Sequence, residues 1–278
     1  MNQTMKMSNG QMLREGAGVK LRRYIGMERH NDLDPFLLLD VFNSTDPLDY
    51  MAGFPPHPHR GFETITYLIE GKIVHKDNHG HQGVITAGDV QWMTAGRGII
   101  HSEMPSEEPR LWGLQLWLNL PAAQKMVEPR YQEYKASQLP IISFKNGVLI
   151  KVIAGTTSEG TASPIKGVAT DPIFFDITLP LQQSYDLQIP SSHQSILFVL
   201  DGDLSFPDGE NTSPISRDTL VSLNSLNSIT IQGASESCRC LFIAARKIGE
   251  PVERLGPFVM NTREEVLQAV DDFQNHRF

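Results

Sequence analysis

The 278-residue sequence predicts an all-β protein that folds as two β-barrels in tandem and ends in an α-helix. Short runs rich in β-branched and aromatic residues alternate with Gly, Pro, Asn and Asp, which is typical of strands joined by turns. The two halves share a short sequence pattern, because residues 67–71 and 198–202 are each predicted to be a strand that ends in an acid and a glycine. The last residues have a helical pattern instead.

In the first half, the predicted strands cover residues 18–24, 36–42, 61–70, 72–76, 90–93, 98–103 and 111–119. Residues 77–80 (Asp-Asn-His-Gly) are one of several segments with the expected turn residues. Residues 121–140 are polar and interrupted by Pro129, which makes them the best linker candidate. Strands resume at 148–152, 173–179, 196–200, 228–231 and 239–245.

The C-terminal segment has the signals of a capped helix. Asn261 or Thr262 can serve as the N-cap, with Glu264 or Glu265 closing a capping box. An apolar stripe then follows at helical spacing, formed by Val266, Val270 and Phe273, with Leu267 beside it. We expect this helix to pack onto a barrel.

Composition excludes several classes of protein. The net charge of −8 argues against binding nucleic acid through bulk electrostatics, which needs clustered Lys and Arg. No apolar run approaches the roughly 18 residues of a membrane-spanning helix, and the N-terminus does not resemble a secretory signal. Cys238 and Cys240 lie too close in sequence for a good disulfide. Reduced thiols and the absence of targeting signals predict a cytoplasmic protein.

Two pairs of side chains indicate a metal centre. His57 and His59 are spaced i, i+2, as are His101 and Glu103. On a strand this spacing directs both members of a pair to the same face, so two neighbouring strands could present three imidazoles and one carboxylate to a single ion. That set suits a first-row metal with coordination positions left for a substrate.

Other residues near these pairs are alternatives to this assignment. Strand parity extended from His57 gives Glu63 the same direction if no bulge intervenes, so Glu63 either competes as a ligand or accepts the second N–H of an imidazole. His79 and His81 also have i, i+2 spacing, but a solvated turn is favoured there over a second metal site. His75 is a candidate for the barrel mouth, whereas His30, His193 and His276 have no partner in sequence. The second half lacks a comparable ligand set and is expected to bind no metal.

The spacing of the ligands does not choose the metal. Fe(II), Ni, Cu, Mn and Zn all accept imidazole and carboxylate donors. Zinc would indicate hydrolysis or a structural role, and iron would indicate oxygen chemistry.

Long motifs around these residues resemble the pirin family of the cupin superfamily. They cover residues 57–67 (His-Pro-His-Arg-Gly-Phe-Glu-Thr-Ile-Thr-Tyr), 88–98, 100–105 and 113–121, with further similarity at 125–129 and 256–261. The resemblance implies a bicupin with two jelly-roll barrels. It further implies an N-terminal metal-binding barrel over 1–134, a C-terminal barrel without ligands over 140–250, and a tail and helix over 251–278 that pack back on the first barrel.

The resemblance also implies a cofactor and two alternative functions. Pirins bind iron in the N-terminal barrel, at positions that match His57, His59, His101 and Glu103. Some open flavonol rings with O2 as quercetin 2,3-dioxygenases and release carbon monoxide, whereas others regulate transcription factors or metabolic enzymes by binding them. The first function predicts a flavonol-like aromatic substrate and O2 as partners, and the second an iron-dependent, redox-sensing protein that docks on another protein.

In the enzymatic alternative, a metal would acidify the 3-hydroxyl of the flavonol and Glu103 would accept its proton as general base. The walls for a flat substrate would come from nearby large side chains. The candidates are Phe54, Phe62, Trp92, Met93, Trp112 and Trp117. Each of these residue types is also common in a protein core.

Overall fold

A computed structural model describes residues 5–27, 33–207 and 213–278, so His30 lies outside the described residues. Almost all of the regular structure is strand, as the sequence predicts. The strands in chain order are β1 (Met5–Ser8), β2 (Gln11–Glu15), β3 (Val19–Ile25), β4 (Phe36–Ser44), β5 (Phe54–His59), β6 (Phe62–Glu70), β7 (Lys72–Asp77), β8 (Gln82–Thr86), β9 (Val90–Thr94), β10 (Ile99–Pro105), β11 (Leu111–Asn119), β12 (Arg130–Tyr134), β13 (Ile141–Ser143), β14 (Leu149–Ala154), β15 (Ile173–Pro180), β16 (Ser184–Gln188), β17 (His193–Asp201), β18 (Asp203–Ser205), β19 (Ile215–Ser216), β20 (Thr219–Leu223), β21 (Ser228–Gly233), β22 (Ser237–Arg246), β23 (Glu253–Leu255) and β24 (Phe258–Met260). Short 3-10 helices occupy Pro47–Asp49, Ala122–Gln124 and Ala136–Gln138, and the α-helix, α1, is Arg263–Gln274.

The chain divides into two compact units. The N-terminal unit comprises residues 11–136 and 248–278, and the C-terminal unit comprises residues 1–10 and 137–247. This division differs from the boundary of 1–134 predicted from the sequence, because β1 pairs antiparallel with β20 of the C-terminal unit. A four-residue strand carries no local signal of the sheet that it will join, so its partner could not be read from the sequence.

The N-terminal unit is a jelly roll of two antiparallel sheets. Its larger sheet has the order β12-β9-β6-β11-β4-β3-β2, and its smaller sheet has the order β5-β10-β7-β8. Apolar side chains from both sheets, including Phe42, Leu68, Ile73 and Ile85, form a buried cluster. Residues on alternate positions of each strand face this interior, so it also receives the polar side chains discussed below.

The segment predicted to be a linker contains part of this unit. Residues 130–134 form β12, which pairs antiparallel with β9 along its whole length. Polar composition was a poor guide here, because β12 is an edge strand of its sheet and its side chains are half-buried or exposed. Residues 130–134 of the linker candidate are therefore a strand of the N-terminal unit.

The C-terminal unit has the same architecture with a different interior. Its sheets have the orders β1-β20-β17-β22-β15-β14-β13 and β16-β21-β18-β19. Apolar side chains such as Val199, Val221 and Phe242 form its core, together with the two free cysteines, Cys238 and Cys240. His193, at the start of β17, lies within hydrogen-bond distance of Ser192 Oγ and the carbonyl of Asp171.

The C-terminal helix begins as the sequence predicts. Thr262 is the N-cap, its hydroxyl accepts the amide N–H of Glu265, and the carboxylate of Glu265 accepts the N–H of Thr262, which confirms the capping box. Val266 is buried, whereas Leu267 is half exposed, so the buried stripe is narrower than predicted. Within the described ranges, we find no helix with the length and hydropathy of a membrane span.

Candidate metal centre

Two adjacent strands of the smaller sheet bring the predicted histidines together. β5 and β10 run antiparallel, with His57 opposite His101 and His59 opposite Ile99. The ring centroids of His57 and His101 are 4.5 Å apart, and His59 lies 4.7 and 5.0 Å from those two rings. One ring nitrogen from each residue lies within 4.8 Å of the other two. The predicted convergence of three imidazoles is present.

The nitrogens of these rings have the chemistry of metal ligands. Nδ1 of His59 and both ring nitrogens of His101 are buried and have no hydrogen-bond partner. Nδ1 of His57 lies 2.8 Å from the carbonyl of Pro55, which leaves its Nε2 available. Burial, and then the neighbouring imidazoles, hold the pKa of both His59 and His101 well below the usual range. Neutral imidazoles with unused lone pairs fit a cation, and buried polar atoms seldom lack partners otherwise.

Glu103 lies beside the three histidines but outside the tightest group. Its side chain lines the same cavity as His57 and His59, yet its oxygens are not within 4.8 Å of all three imidazole donors. β10 pairs with β7 in regular register through His101 and Glu103, so these two side chains share a direction, and the register shift lies on β5, where Phe54 is opposite Glu103. The Thr66 hydroxyl donates a 2.9 Å hydrogen bond to Oε1 of Glu103. Burial raises the pKa of Glu103. To act as a fourth ligand, its carboxylate would have to turn toward the three imidazole rings.

Glu63 does not orient an imidazole in this structure. It lies three positions before Thr66 on β6, so its side chain leaves the opposite face of the sheet, where it accepts a 2.7 Å hydrogen bond from Thr94. The parity assumed from His57 fails at Gly61, whose φ is +88°. Any Cβ at Gly61 would lie 2.0 Å from the carbonyl oxygen of Val259, so this turn needs glycine. Glu63 is buried, and burial raises its pKa.

A cavity of about 540 Å³ opens beside the histidines. This volume falls within the range of about 300–1,000 Å³ typical of small-molecule sites. Its walls include Phe54, His57, His59, Glu103, Gln115 and Trp117. Of the predicted walls, Phe54 and Trp117 are therefore present at the cavity.

The remaining predicted walls do not line this cavity. Phe62 is fully buried and packs with its ring 4.4 Å from that of Trp117 and 5.1 Å from that of His59. Met93 belongs to a separate buried cluster with Ala95 and Ile99, and Trp92 lies beside Glu63 on the far face of the sheet. Trp112 is buried too. Their apolar character reflects packing, which sequence alone could not distinguish from substrate contact.

Two buried basic residues, Arg60 and Lys125, hold the turn that follows His59, and their contacts were not predicted from the sequence. Arg60, directly after His59, is buried and donates a 2.6 Å hydrogen bond to Asp272 of α1. Its guanidinium carbon also lies 4.3 Å from the centre of the Phe278 ring. Lys125 is equally buried, and its Nζ donates to the carbonyls of Gly61 and Val259 and to Oδ1 of Asn119. No local signal links partners so far apart in sequence.

Comparison with known proteins agrees with this architecture. The sequence profile described as Pirin matches residues 18–118, and that described as Pirin C-terminal cupin domain matches residues 174–278. A pirin-like protein from Caulobacter vibrioides is 43% identical, with 99% of this chain and 98% of that protein covered. Pirin-1 from Arabidopsis thaliana is 46% identical, with 94% and 89% covered.

The solved structures give the same result. A crystal structure of quercetin 2,3-dioxygenase from Acinetobacter baumannii superposes with a TM-score of 0.88 at 32% identity and covers 99% of this chain and 97% of that one. The fold and the histidine cluster thus define a bicupin. Within that class, the chain belongs to the pirin family.

Proposed function

We propose that this protein is an Fe(II)-dependent dioxygenase that opens a flavonol ring with O2, in the manner of a quercetin 2,3-dioxygenase. The observation that carries the proposal is the group of three converging imidazoles, in which His59 and His101 have buried ring nitrogens without a hydrogen-bond partner, and in which His57 and His59 line a cavity large enough for a small molecule. The name of the similar Acinetobacter enzyme supports the same reaction class.

In this proposal His57, His59 and His101 hold the iron, and Glu103 turns toward it as the fourth ligand. Fe(II), when bound there, supplies Lewis-acid and oxygen chemistry. The protein contributes a preformed arrangement, because strand pairing fixes the histidines and the contacts of Arg60 and Lys125 hold the loop that follows His59. Ni, Cu, Mn and Zn suit the same donors and are alternatives.

Glu103 is the residue we assign to proton transfer. Its pKa is raised by burial, which increases the affinity of the carboxylate for a proton at neutral pH. Thr66 donates a hydrogen bond to one carboxylate oxygen, and the other remains to accept the proton of a substrate hydroxyl. Thr66 itself lies 2.7 Å from the side-chain amide of Gln115, which orients it.

The cavity offers both a flat apolar wall and a positive charge to such a substrate. Phe54 and Trp117 provide aromatic surface, and the guanidinium carbon of Arg254 lies 4.9 Å from the centre of the Trp117 ring. An ionised flavonol carries negative charge on its enolate oxygen, which Arg254 would attract. Arg23, by contrast, is already engaged in a bidentate ion pair with Asp40.

The test begins with elemental analysis of anaerobically purified protein, followed by O2 consumption with quercetin. We expect iron at one ion per chain in the histidine centre and O2 uptake that depends on both iron and quercetin. His101→Ala should lose both, whereas His79→Ala, which removes an exposed histidine, should keep both. Iron-replete protein that consumes no O2 with any flavonol would refute the enzymatic proposal and favour a redox-sensing role toward another protein.

The reduced, buried cysteines also support the proposal of a cytoplasmic location.

A further inference from the structure

A second cluster of metal-ligating side chains lies elsewhere in the N-terminal unit. His75 on β7, His81 in the turn before β8 and Glu133 on β12 each offer one ligand atom, and these atoms all lie within 4.8 Å of one another. None of the three belongs to the centre formed by His57, His59 and His101. The sequence favoured a solvated turn at His79 and His81 over a metal site, whereas the structure places His81 beside His75.

The distances in this cluster suit a tetrahedral ion. Nε2 of His75 lies 2.8 Å from Oε1 of Glu133, and Nε2 of His81 lies 3.3 Å from the same oxygen. Two ligands that are each about 2.0–2.1 Å from a tetrahedral zinc ion are about 3.3 Å apart. Small shifts of the side chains would therefore seat the ion.

Three ring nitrogens of His75 and His81 are buried without a hydrogen bond of good geometry. Although both are close to Glu133, neither Nε2 of His75 nor Nε2 of His81 has the alignment of a hydrogen bond to it, and Nδ1 of His75 also lacks a partner. His75 is only 1% exposed, so its ring nitrogens are shielded from bulk water. Buried imidazole nitrogens without hydrogen bonds are uncommon unless a ligand completes them.

The surroundings hold these ligands in place. Nε2 of Gln91 donates a 2.6 Å hydrogen bond to Oε1 of Glu133, as an outer partner of a metal-binding carboxylate would. The ring of Tyr131 stacks on His81 with centroids 4.3 Å apart, and Oδ1 of Asp77 accepts the backbone N–H of His81. A Cβ at Gly83 would lie 2.4 Å from Nε2 of His75, so glycine leaves the space that this imidazole occupies.

The cluster is accessible and bridges the two sheets. The side chains of His81 and Glu133 are 40% and 31% exposed, which gives an ion a path of entry and leaves room for a water as fourth ligand. β8 and β12 are the outermost strands of their sheets. An ion bound by residues from both sides would tie these free edges together.

We propose that His75, His81 and Glu133 form a second metal site, which binds Zn²⁺ or a divalent cation of similar preference. Two imidazoles and one carboxylate are an established donor set for zinc, whereas the first centre offers three imidazoles. The proposal does not depend on the dioxygenase activity.

The experiment measures zinc stoichiometry on the full chain. Chelator-treated protein is titrated with zinc sulfate and assayed by equilibrium dialysis and elemental analysis. We expect two zinc ions per wild-type chain and one in His81→Ala. Because His81 is half exposed, this variant should keep its fold, which circular dichroism checks. His79→Ala, in the same turn, is the matched control and should bind two.

The variants also separate the two centres. His101→Ala should retain the zinc ion at the second site, and the double variant His81→Ala/His101→Ala should bind none. If the first centre binds no metal, the wild type will bind one ion that His81→Ala loses and His101→Ala keeps, so the second site stands on its own. Equal stoichiometry in His81→Ala and the wild type would overturn the proposal, as would an equal loss in His79→Ala.

Discussion

Lys125→Met should destabilise the protein more than its position in a polar connecting segment suggests. Lys125 is 1% exposed, and its ammonium group donates three hydrogen bonds of 2.6–3.0 Å. Burial lowers the pKa of Lys125 to about 8, so the group is still protonated at neutral pH. Methionine is of similar length, and it therefore removes the donor without leaving a large void.

The size of the stability loss follows from the acceptors that lose their hydrogen-bond donor in the variant. Asn119 Oδ1 also accepts the N–H of Leu120, so it keeps a partner, but the carbonyls of Gly61 and Val259 are left buried. Each unsatisfied buried acceptor costs about 1–3 kcal/mol, and the apolar burial of methionine offsets part of this. We expect a loss of about 3 kcal/mol.

Urea unfolding followed by tryptophan fluorescence measures the effect, since the tryptophans Trp92, Trp112 and Trp117 all lie in the N-terminal unit. Lys145→Met, at an exposed lysine, is the control and should change stability by less than about 0.5 kcal/mol. Because Gly61 lies in the turn directly after the ligand strand β5, the Lys125 variant should also bind metal at the first centre more weakly. A Lys125→Met protein as stable as the control would show that these hydrogen bonds contribute nothing net, which would refute the reasoning.

Three further predictions concern the first centre and the helix that holds it. His101→Ala should lose stoichiometric iron but retain its circular dichroism spectrum, and full iron content would contradict the ligand assignment. Glu103→Gln should keep part of its metal and lose flavonol turnover; unchanged turnover would exclude the general base. Burial would raise the pKa of Asp272, but hydrogen bonds, chiefly from Arg60, lower it to about 2. The ionised carboxylate of Asp272 therefore stabilises the fold above a pH of about 4, and this contribution is lost as the pH falls toward 2. In urea unfolding, Asp272→Asn should lack this part of the decrease in stability at acid pH.

Local sequence signals were sufficient for much of the fold. The predicted strands 61–70, 72–76, 90–93, 98–103 and 111–119 match β6, β7, β9, β10 and β11 within a few residues, because alternation and turn chemistry are encoded locally. The capping box of α1 is equally local. Short edge strands such as β1 and β12 were missed, since their pairing depends on partners far along the chain.

The candidate site divides in the same way. Residue spacing determined that His57 shares a face with His59, because an i, i+2 interval fixes a shared face on a strand. The pairing of β5 with β10 then brought His101 to this pair. Only the tertiary structure decided the rest. A hydrogen bond from Thr66 on β6 holds Glu103, the glycine turn at Gly61 separated Glu63 from the centre, and the packing of two sheets brought Glu133 to His75 and His81. Side-chain direction is a local property of the backbone, whereas register and sheet packing are settled by contacts between residues that the sequence does not place side by side.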